Sequence, residues 1–510
     1  MLQTLCRQRS LVVAGLWAAT LLVVGALLLS CIKRQIEVRV EDPREPEFQA
    51  RVAEADTYFR QQHLYGWRKA ESFYKKARLV KETNELTDKL LLTGILRIIR
   101  ERQENIPDAS VLEVLDELCG KAPEGPFRLC GLADAYLSAK ERGDAKYEFL
   151  GSVLSPGEAE PVLSAYLDLL AIGADNPAAC EEFRDQFIQD FPSSPLTLYI
   201  VQKEGRPDVE GLPEPDPRFA EHFLYRGGFL LEKTRYADGI ESLARAIELV
   251  PDYTKAHTAL GDFWLFIVLD SEKAITNFER ALSFDPENPA ALFGKAVALH
   301  YLEKNIESNI ALDRLLANQD RWGDFGQELT SYYRDQIPYY QGYNHYLIGA
   351  LGEAREWIDK AKQYQPKSEM VSYVSGLIHL RDYSPESAEA EFEDATRTGE
   401  ICDAYYRLGL INDEEEPKRA VSLFLAAAYC AVNGVKELEK SLARLDQLDL
   451  DEDSRAALRL NLQASLEKRT ESAIATLEDM IIRTRPKTAT QETVHIETML
   501  ELLLQLRNPL

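Results

Sequence analysis

Seven histidines are the side chains of this 510-residue chain best suited to bind a metal or move a proton. They stand at His63, His222, His257, His300, His345, His379 and His495, in separate helical segments, and a satisfied structural histidine is the expectation, with a ligand as the alternative. Asp449, Asp451 and Asp453 open like a calcium loop. The likeness fails at Ser454, where a glycine should turn the chain, and at Leu460, where a bidentate glutamate should close it. A solvated turn, with Asp453 or Ser454 capping the next helix, is the expectation. Glu414, Glu415 and Glu416 precede Pro417 at a helix start, where negative charge suits the helix dipole. No HExxH, P-loop, GxSxG or CxxC spacing is present. These residues assign no catalytic group, no metal ligand and no cofactor, and the chain does not read as an enzyme.

The elements that carry these residues are helices, and they recur. Gly239, Ala274 and Ala354 are each followed after four residues by an apolar side chain (Leu243, Phe278, Ile358) and after seven by alanine (Ala246, Ala281, Ala361), which places each set on one helical face. Gly227 and Gly342 stand twelve residues upstream of Gly239 and Ala354, and Gly261 thirteen upstream of Ala274. A glycine inside a helix costs about 1 kcal/mol relative to alanine, so its recurrence implies helices that cross too closely for a side chain.

This pattern resembles the tetratricopeptide repeat, 34 residues of paired antiparallel helices. The register gives repeats at 220–253, 254–288, 289–320, 335–368, 369–401 and 402–434. Gly376, Ala388, Phe392 and Ala395 take the signature places in the fifth, and Tyr405, Leu408, Gly409, Ala420, Phe424 and Ala427 in the sixth. Departures are local: Arg226 replaces the usual leucine, the second repeat has one extra residue, and the third lacks its proline. Before residue 205 the signal weakens, with Ala70, Tyr74 and Ala77 as one second helix and Leu132, Ala133, Tyr136, Ala145 and Phe149 as a nearly complete repeat. The resemblance implies an all-α, right-handed α-solenoid with a degenerate N-terminal array and a regular C-terminal one. The expected divisions are a signal peptide or anchor at 1–30, a tether at 31–48, the degenerate array at 49–204, a Pro/Gly linker at 205–217, six repeats at 218–434, and a degenerate repeat with capping helices at 435–510.

Arg7 and Arg9 precede an uncharged stretch from Leu11 to Leu29, which reads as an export signal. Leu28, Leu29, Ser30 and Cys31 resemble the lipobox of bacterial lipoproteins, which implies cleavage before Cys31 and its acylation. A single-pass membrane helix is the alternative, since Lys33 and Arg34 flank the far side. Both readings put the body in the cell envelope, outside the cytosol. Ile32, where many inner-membrane lipoproteins carry Asp, points to a lipid anchor in the outer membrane facing the periplasm. Downstream, Cys119 and Cys130 straddle a Gly/Pro-rich turn and are the candidate disulfide, with buried free thiols as the alternative.

With 59 basic against 84 acidic residues and a net charge of −25, the chain repels phosphate backbones, and no nucleic-acid partner is expected. The resemblance implies that the first helices line a concave groove, with repeat positions five, nine and twelve facing it. Those positions and their neighbours give Phe266, Phe293, His300, Tyr301, Tyr339, Tyr343, Tyr346, Tyr373, Leu377 and Leu380 as the candidate partner-binding residues, the alternative being burial between repeats. The Lys/Asn clamp for acidic C-termini is missing, so an apolar helix or extended segment is the expected ligand. A membrane-tethered scaffold that binds an unidentified protein partner during envelope complex assembly is the preferred reading. A nutrient-binding lipoprotein, with Trp322 as its sugar platform, is the alternative.

Overall fold

The computed structural model describes residues 44–104, 106, 162, 165–166, 177–203, 215–320, 322, 327–484 and 491–507. The signal segment with Cys31, the Cys119/Cys130 pair, the repeat expected over 132–149 and most of the 205–217 linker lie outside them. Among the described residues the chain is helical, and its isolated β-bridge joins Arg235 to Asp449.

The N-terminal array contains α1 (Glu45–Phe59), α2 (Leu64–Val80), α3 (Asn84–Gln103), α4 (Pro177–Asp190) and α5 (Pro195–Lys203). Ala70, Tyr74 and Ala77 form one buried face of α2, which packs on α1. His63 is a capping residue there, its Nδ1 accepting from the Gly66 amide at 3.1 Å.

Six hairpins follow: α6 (Ala220–Glu232) with α7 (Tyr236–Leu249), α8 (Thr254–Asp262) with α9 (Ser271–Phe284), and α10 (Pro289–Tyr301) with α11 (Asn305–Ala317). The second three are α12 (Gln327–Ile348) with α13 (Leu351–Tyr364), α14 (Glu369–Arg381) with α15 (Pro385–Ala395), and α16 (Cys402–Asn412) with α17 (Pro417–Arg444). Each helix packs on its hairpin partner and on the next hairpin, which makes the array an α-solenoid of tetratricopeptide type. Local chemistry starts several of these helices. Asp270, Asn288 and Ser368 cap backbone amides, while Pro289, Pro385 and Pro417 occupy first-turn positions where a missing N–H costs nothing.

The recurrent glycines make room for a side chain of the neighbouring helix: Leu243 at Gly227, Ile358 at Gly342, and a phenylalanine ring at Gly261, Gly294, Gly376 and Gly409. A Cβ on Gly261 would lie 2.5 Å from the Phe278 ring, and one on Gly294 of the next hairpin 2.3 Å from the same ring. The close approach is therefore helix to aromatic side chain at these two positions, and Phe278 binds three helices together.

The extra residue of the second repeat is absorbed as a π-turn over Phe263–Ile267, closed by the Val268 amide on the Phe263 carbonyl at 3.1 Å. After residue 434 no further short hairpin forms. Helix α17 runs 28 residues through that point, and α18 (Glu452–Thr484) runs 33, about 50 Å at 1.5 Å per residue. Ala473 and Leu477 are buried on α18, which with α19 (Gln491–Arg507) covers the last repeat. The other half of α18 reaches back to the second repeat. Leu458 and Leu462 pack with Phe263 and Val268 there, and Asn461 Nδ2 donates to the Val268 carbonyl at 3.1 Å. At the α17–α18 junction, the Asp449 carbonyl accepts from the Ala237 amide at 3.0 Å. Asp451, and not Asp453 or Ser454, caps α18: its carboxylate accepts from the Ser454 amide at 2.9 Å. The long helices tie the last repeat to the first two.

Cys402 and Cys430 form a disulfide that fastens the start of α16 to the middle of α17, with Cα atoms 5.4 Å apart. Neither cysteine was a pairing candidate on sequence, because 28 residues and a helical turn separate them.

Candidate functional site

Two adjoining cavities of about 750 and 700 Å³ open along the first helices of the first three hairpins. Their walls include repeat positions five and nine of the first helices: Leu224 and Gly228 on α6, Thr258 and Asp262 on α8, and Phe293 on α10. Lys203, Lys255 and Ala259 line both, so the two form one groove. Gly228 is instructive. Its neighbour Gly227 is required by Leu243, 2.8 Å from where a Cβ would sit, but a Cβ on Gly228 would meet nothing within 4 Å. A helix-weakening residue with no packing reason leaves bare backbone on the groove wall, where a ligand can approach closely.

The N-terminal array supplies one end of this groove through a buried polar hub. Glu104, fully buried, accepts hydrogen bonds from the hydroxyls of Tyr199 (2.5 Å), Tyr225 (2.8 Å) and Tyr253 (2.9 Å). Lys255 approaches it at 3.3 Å and Lys203 at 3.7 Å, and both ammonium groups also donate to the Gln103 carbonyl at the end of α3. Burial alone would raise the Glu104 pKa. The two lysines and the tyrosine hydroxyls overcome it and hold the carboxyl down at about 2. Beside this hub, Arg100 pairs with Glu221 at 2.7 Å, both side chains inaccessible to solvent, and its guanidinium stacks 3.5 Å from the Tyr199 ring centroid. These contacts join the end of α3 and α5 to α6 and the start of α8, so the arrays meet through a buried network of charged and hydroxyl groups. Outward from the hub, Arg226, Lys233 and Arg235 make the same wall basic within an acidic protein. Arg226 is the residue that replaces the usual leucine.

The second cavity is built largely by departures from the plain repeat. Asp262 ends α8 immediately before the π-turn, and Phe266, 50% exposed, projects from the turn itself. Across the cavity stand Tyr332 and Tyr333, contributed by the extra N-terminal turns of α12 that precede the fourth repeat. Phe293 forms the floor, with ring centroids 5.3 Å from both tyrosines. Asp262 is open to solvent yet lies deep among surrounding protein, and no hydrogen bond or ion pair reaches it from the described residues. That enclosure pushes its carboxyl up to about 7.

The remaining candidate residues are distributed along the array. Tyr301 stays exposed at 57%, whereas His300 is half-buried and bonds through Nδ1 to Asn344 Oδ1 at 2.7 Å, within a buried chain that continues to Ser308 and Asn309. Tyr339, Tyr343 and Tyr346 form a ladder of half-buried rings, with successive centroids 6.0 and 6.4 Å apart. Tyr373 is half-buried and donates to Asp403 at 2.7 Å. Leu377 is buried between the fifth and sixth repeats, and Leu380 is partly buried against the same cluster. Only Phe266 and Phe293 of the named set line the two cavities. Trp322 is buried, edge-on to Tyr333, with its indole N–H donating to the Leu315 carbonyl at 3.1 Å, so it offers no open face to a sugar. No group of three or more His, Cys, Asp or Glu side chains suited to a metal occurs among the described residues.

Lys203, Lys255, Asp262, Tyr332 and Tyr333 were not candidates on sequence. The signals that bear on them were the extra residue of the second repeat and the Tyr332-Tyr333 doublet outside the register.

No protein-family model matches this chain, and no curated protein sequence matches it. Among solved structures it is similar to PilF of Pseudomonas aeruginosa, at 15% identity over 40% of this chain and 89% of that one, with a TM-score of 0.34. It is similar to YrrB, described as a TPR protein with an unusual peptide-binding site, at 18% identity over 38% and 93% of the two chains, with a TM-score of 0.29. It is also similar to the Cut9–Hcn1 hetero-tetramer structure, at 11% identity over 90% and 96%, with a TM-score of 0.34. At these identities and scores the likeness carries nothing about function, and the assignment to a tetratricopeptide-type solenoid rests on the helix pairing itself.

Proposed function

We propose that this chain is a protein-interaction scaffold that holds a segment of a partner protein in the concave groove of its first three hairpins. The observation that carries this reading is the bare wall at Gly228, set in a continuous groove of two cavities with apolar floors at Leu224, Phe229, Phe266 and Phe293. Leu224 and Phe293 are buried at the base, while Phe266 is half exposed and Phe229 partly so; large rings held open to water suit a surface that is covered on binding. The same reading places the body outside the cytosol, tethered through Cys31 to the envelope membrane, where it serves assembly of an envelope complex. The Cys402–Cys430 disulfide supports an oxidising compartment, since such bonds are rare in reducing ones.

The test is a photocrosslinking amino acid placed at Gly228 of the full chain in its native host, with the exposed convex residue Glu272 as the control position. Crosslinking of one defined protein from Gly228 and not from Glu272 supports the groove. The same products from both positions, or none from Gly228, sink it. The tether is tested separately: Cys31→Ala abolishes incorporation of labelled fatty acid if the lipoprotein reading is right, and leaves the chain at the membrane if an uncleaved helix anchors it.

A further inference from the structure

The second cavity carries an unpartnered carboxyl group beside a cluster of aromatic rings. Its two ammonium groups are already engaged, Lys255 with the Gln103 carbonyl at 3.0 Å and Glu104 at 3.3 Å, and Lys203 with Gln103 at 3.3 Å and the Tyr199 hydroxyl at 3.0 Å. Asp262 has no such partner, although it faces the same space. Around it, Phe266 and Tyr332 present half-exposed rings and Phe293 and Tyr333 close the base. A carboxylate beneath aromatic faces is complementary to a cation, which gains an ion pair at the carboxylate and a quadrupole attraction from each ring it crosses.

Resting on the groove reading above, we propose that the Asp262 cavity receives the guanidinium or ammonium group of an arginine or lysine side chain from the bound partner segment. The occupant is a basic residue of a protein ligand, set among apolar residues that cover Phe266 and Phe293. Two features support a site here over a chance placement. Both elements depart from the plain repeat: the π-turn carries Phe266, and the extra turns of α12 carry Tyr332 and Tyr333. Those two irregularities, 60 or more residues apart in sequence by their numbering, meet at one cavity. π-turns in helices are found preferentially at functional sites.

The experiment uses the full chain and a phage-displayed library of random 12-residue peptides as the probe. Recovered sequences are expected to share an arginine or lysine at a fixed spacing from apolar residues. The best of them, made synthetically, is expected to lose at least tenfold in affinity when its basic residue becomes glutamine, and as much when the protein carries Asp262→Asn. The two changes together should lose little more than either one, because they remove the same contact. Circular dichroism melting of Asp262→Asn verifies that the variant is folded. Peptides recovered without a basic residue, or bound equally by wild type and Asp262→Asn, overturn the cation site and leave the groove reading intact provided Gly228→Trp abolishes their binding. Peptides indifferent to Gly228→Trp, or no peptides at all, overturn both.

Discussion

Tyr253 and Glu104 stand 149 residues apart in the chain, and the hydroxyl of the first donates to the carboxylate of the second at 2.9 Å in a fully buried position. This bond, with those from Tyr199 and Tyr225, makes the N-terminal array and the first two hairpins one structural unit at their junction.

Glu104→Gln is expected to cost on the order of 3 kcal/mol of stability, because two ammonium groups lose their counter-charge and three hydroxyls are left with one acceptor oxygen in place of two. The cost is pH-dependent. Glu104 has a pKa lowered to about 2 in the fold, so its contribution is full above the ordinary carboxylate range and is lost as pH falls through about 2. The gap in urea midpoint between wild type and Glu104→Gln should therefore narrow between pH 5 and pH 2. A gap that stays constant over that range contradicts the hub.

Removal of the Cys402–Cys430 bond should loosen the sixth repeat selectively. A closed loop of this length is worth about 3–4 kcal/mol in the chain-entropy account. Cys402→Ser with Cys430→Ser, or reduction of the wild type, should raise amide exchange in α16 and the first half of α17 while leaving α6 to α9 protected. Uniform exchange rates before and after reduction would show that the bridge is mechanically idle.

Gly261→Ala and Gly294→Ala both drive a methyl group into the Phe278 ring. Each is expected to destabilise by about 1–3 kcal/mol despite the better helix propensity of alanine. Phe278→Leu should cost stability alone yet relieve part of either alanine substitution, giving a negative coupling in a double-mutant cycle. Simple additivity in thermal melts would mean the ring can move aside.

Asp262→Asn should stabilise the free protein at alkaline pH. The pKa of Asp262 is raised from 3.8 to about 7, so the stability tied to its neutral form is complete at low pH and lost as pH rises through about 7. The groups facing it are Tyr332 and Tyr333 on α12, with Lys255 on its own helix and Lys203 on α5 across the cavity. An increase in melting temperature for the variant that grows from pH 5 to pH 8 is the expected result. A variant less stable than wild type at pH 8 would mean that Asp262 has a structural partner.

The repeat register and the hairpins were readable from the sequence alone, because helix pairing between neighbours in the chain leaves a local trace. Gly261, Phe278 and Ala281 sit at intervals set by 3.6 residues per turn and by one hairpin, and no distant residue is needed to interpret them. The groove's working end was not readable in this way. Lys203 reaches it from the N-terminal array, Asp262 from the second hairpin and Tyr332 from the fourth, and each is an ordinary polar or aromatic residue in its own segment. Only the curvature of the stacked hairpins brings them to one cavity. The same holds for Glu104 among its tyrosines, for Cys402 with Cys430, and for α18 returning to Val268: each depends on where the superhelix places chain segments that share no periodicity. Periodic burial determines which residues form hairpins, and the tertiary path of the array decides which of their exposed side chains act together.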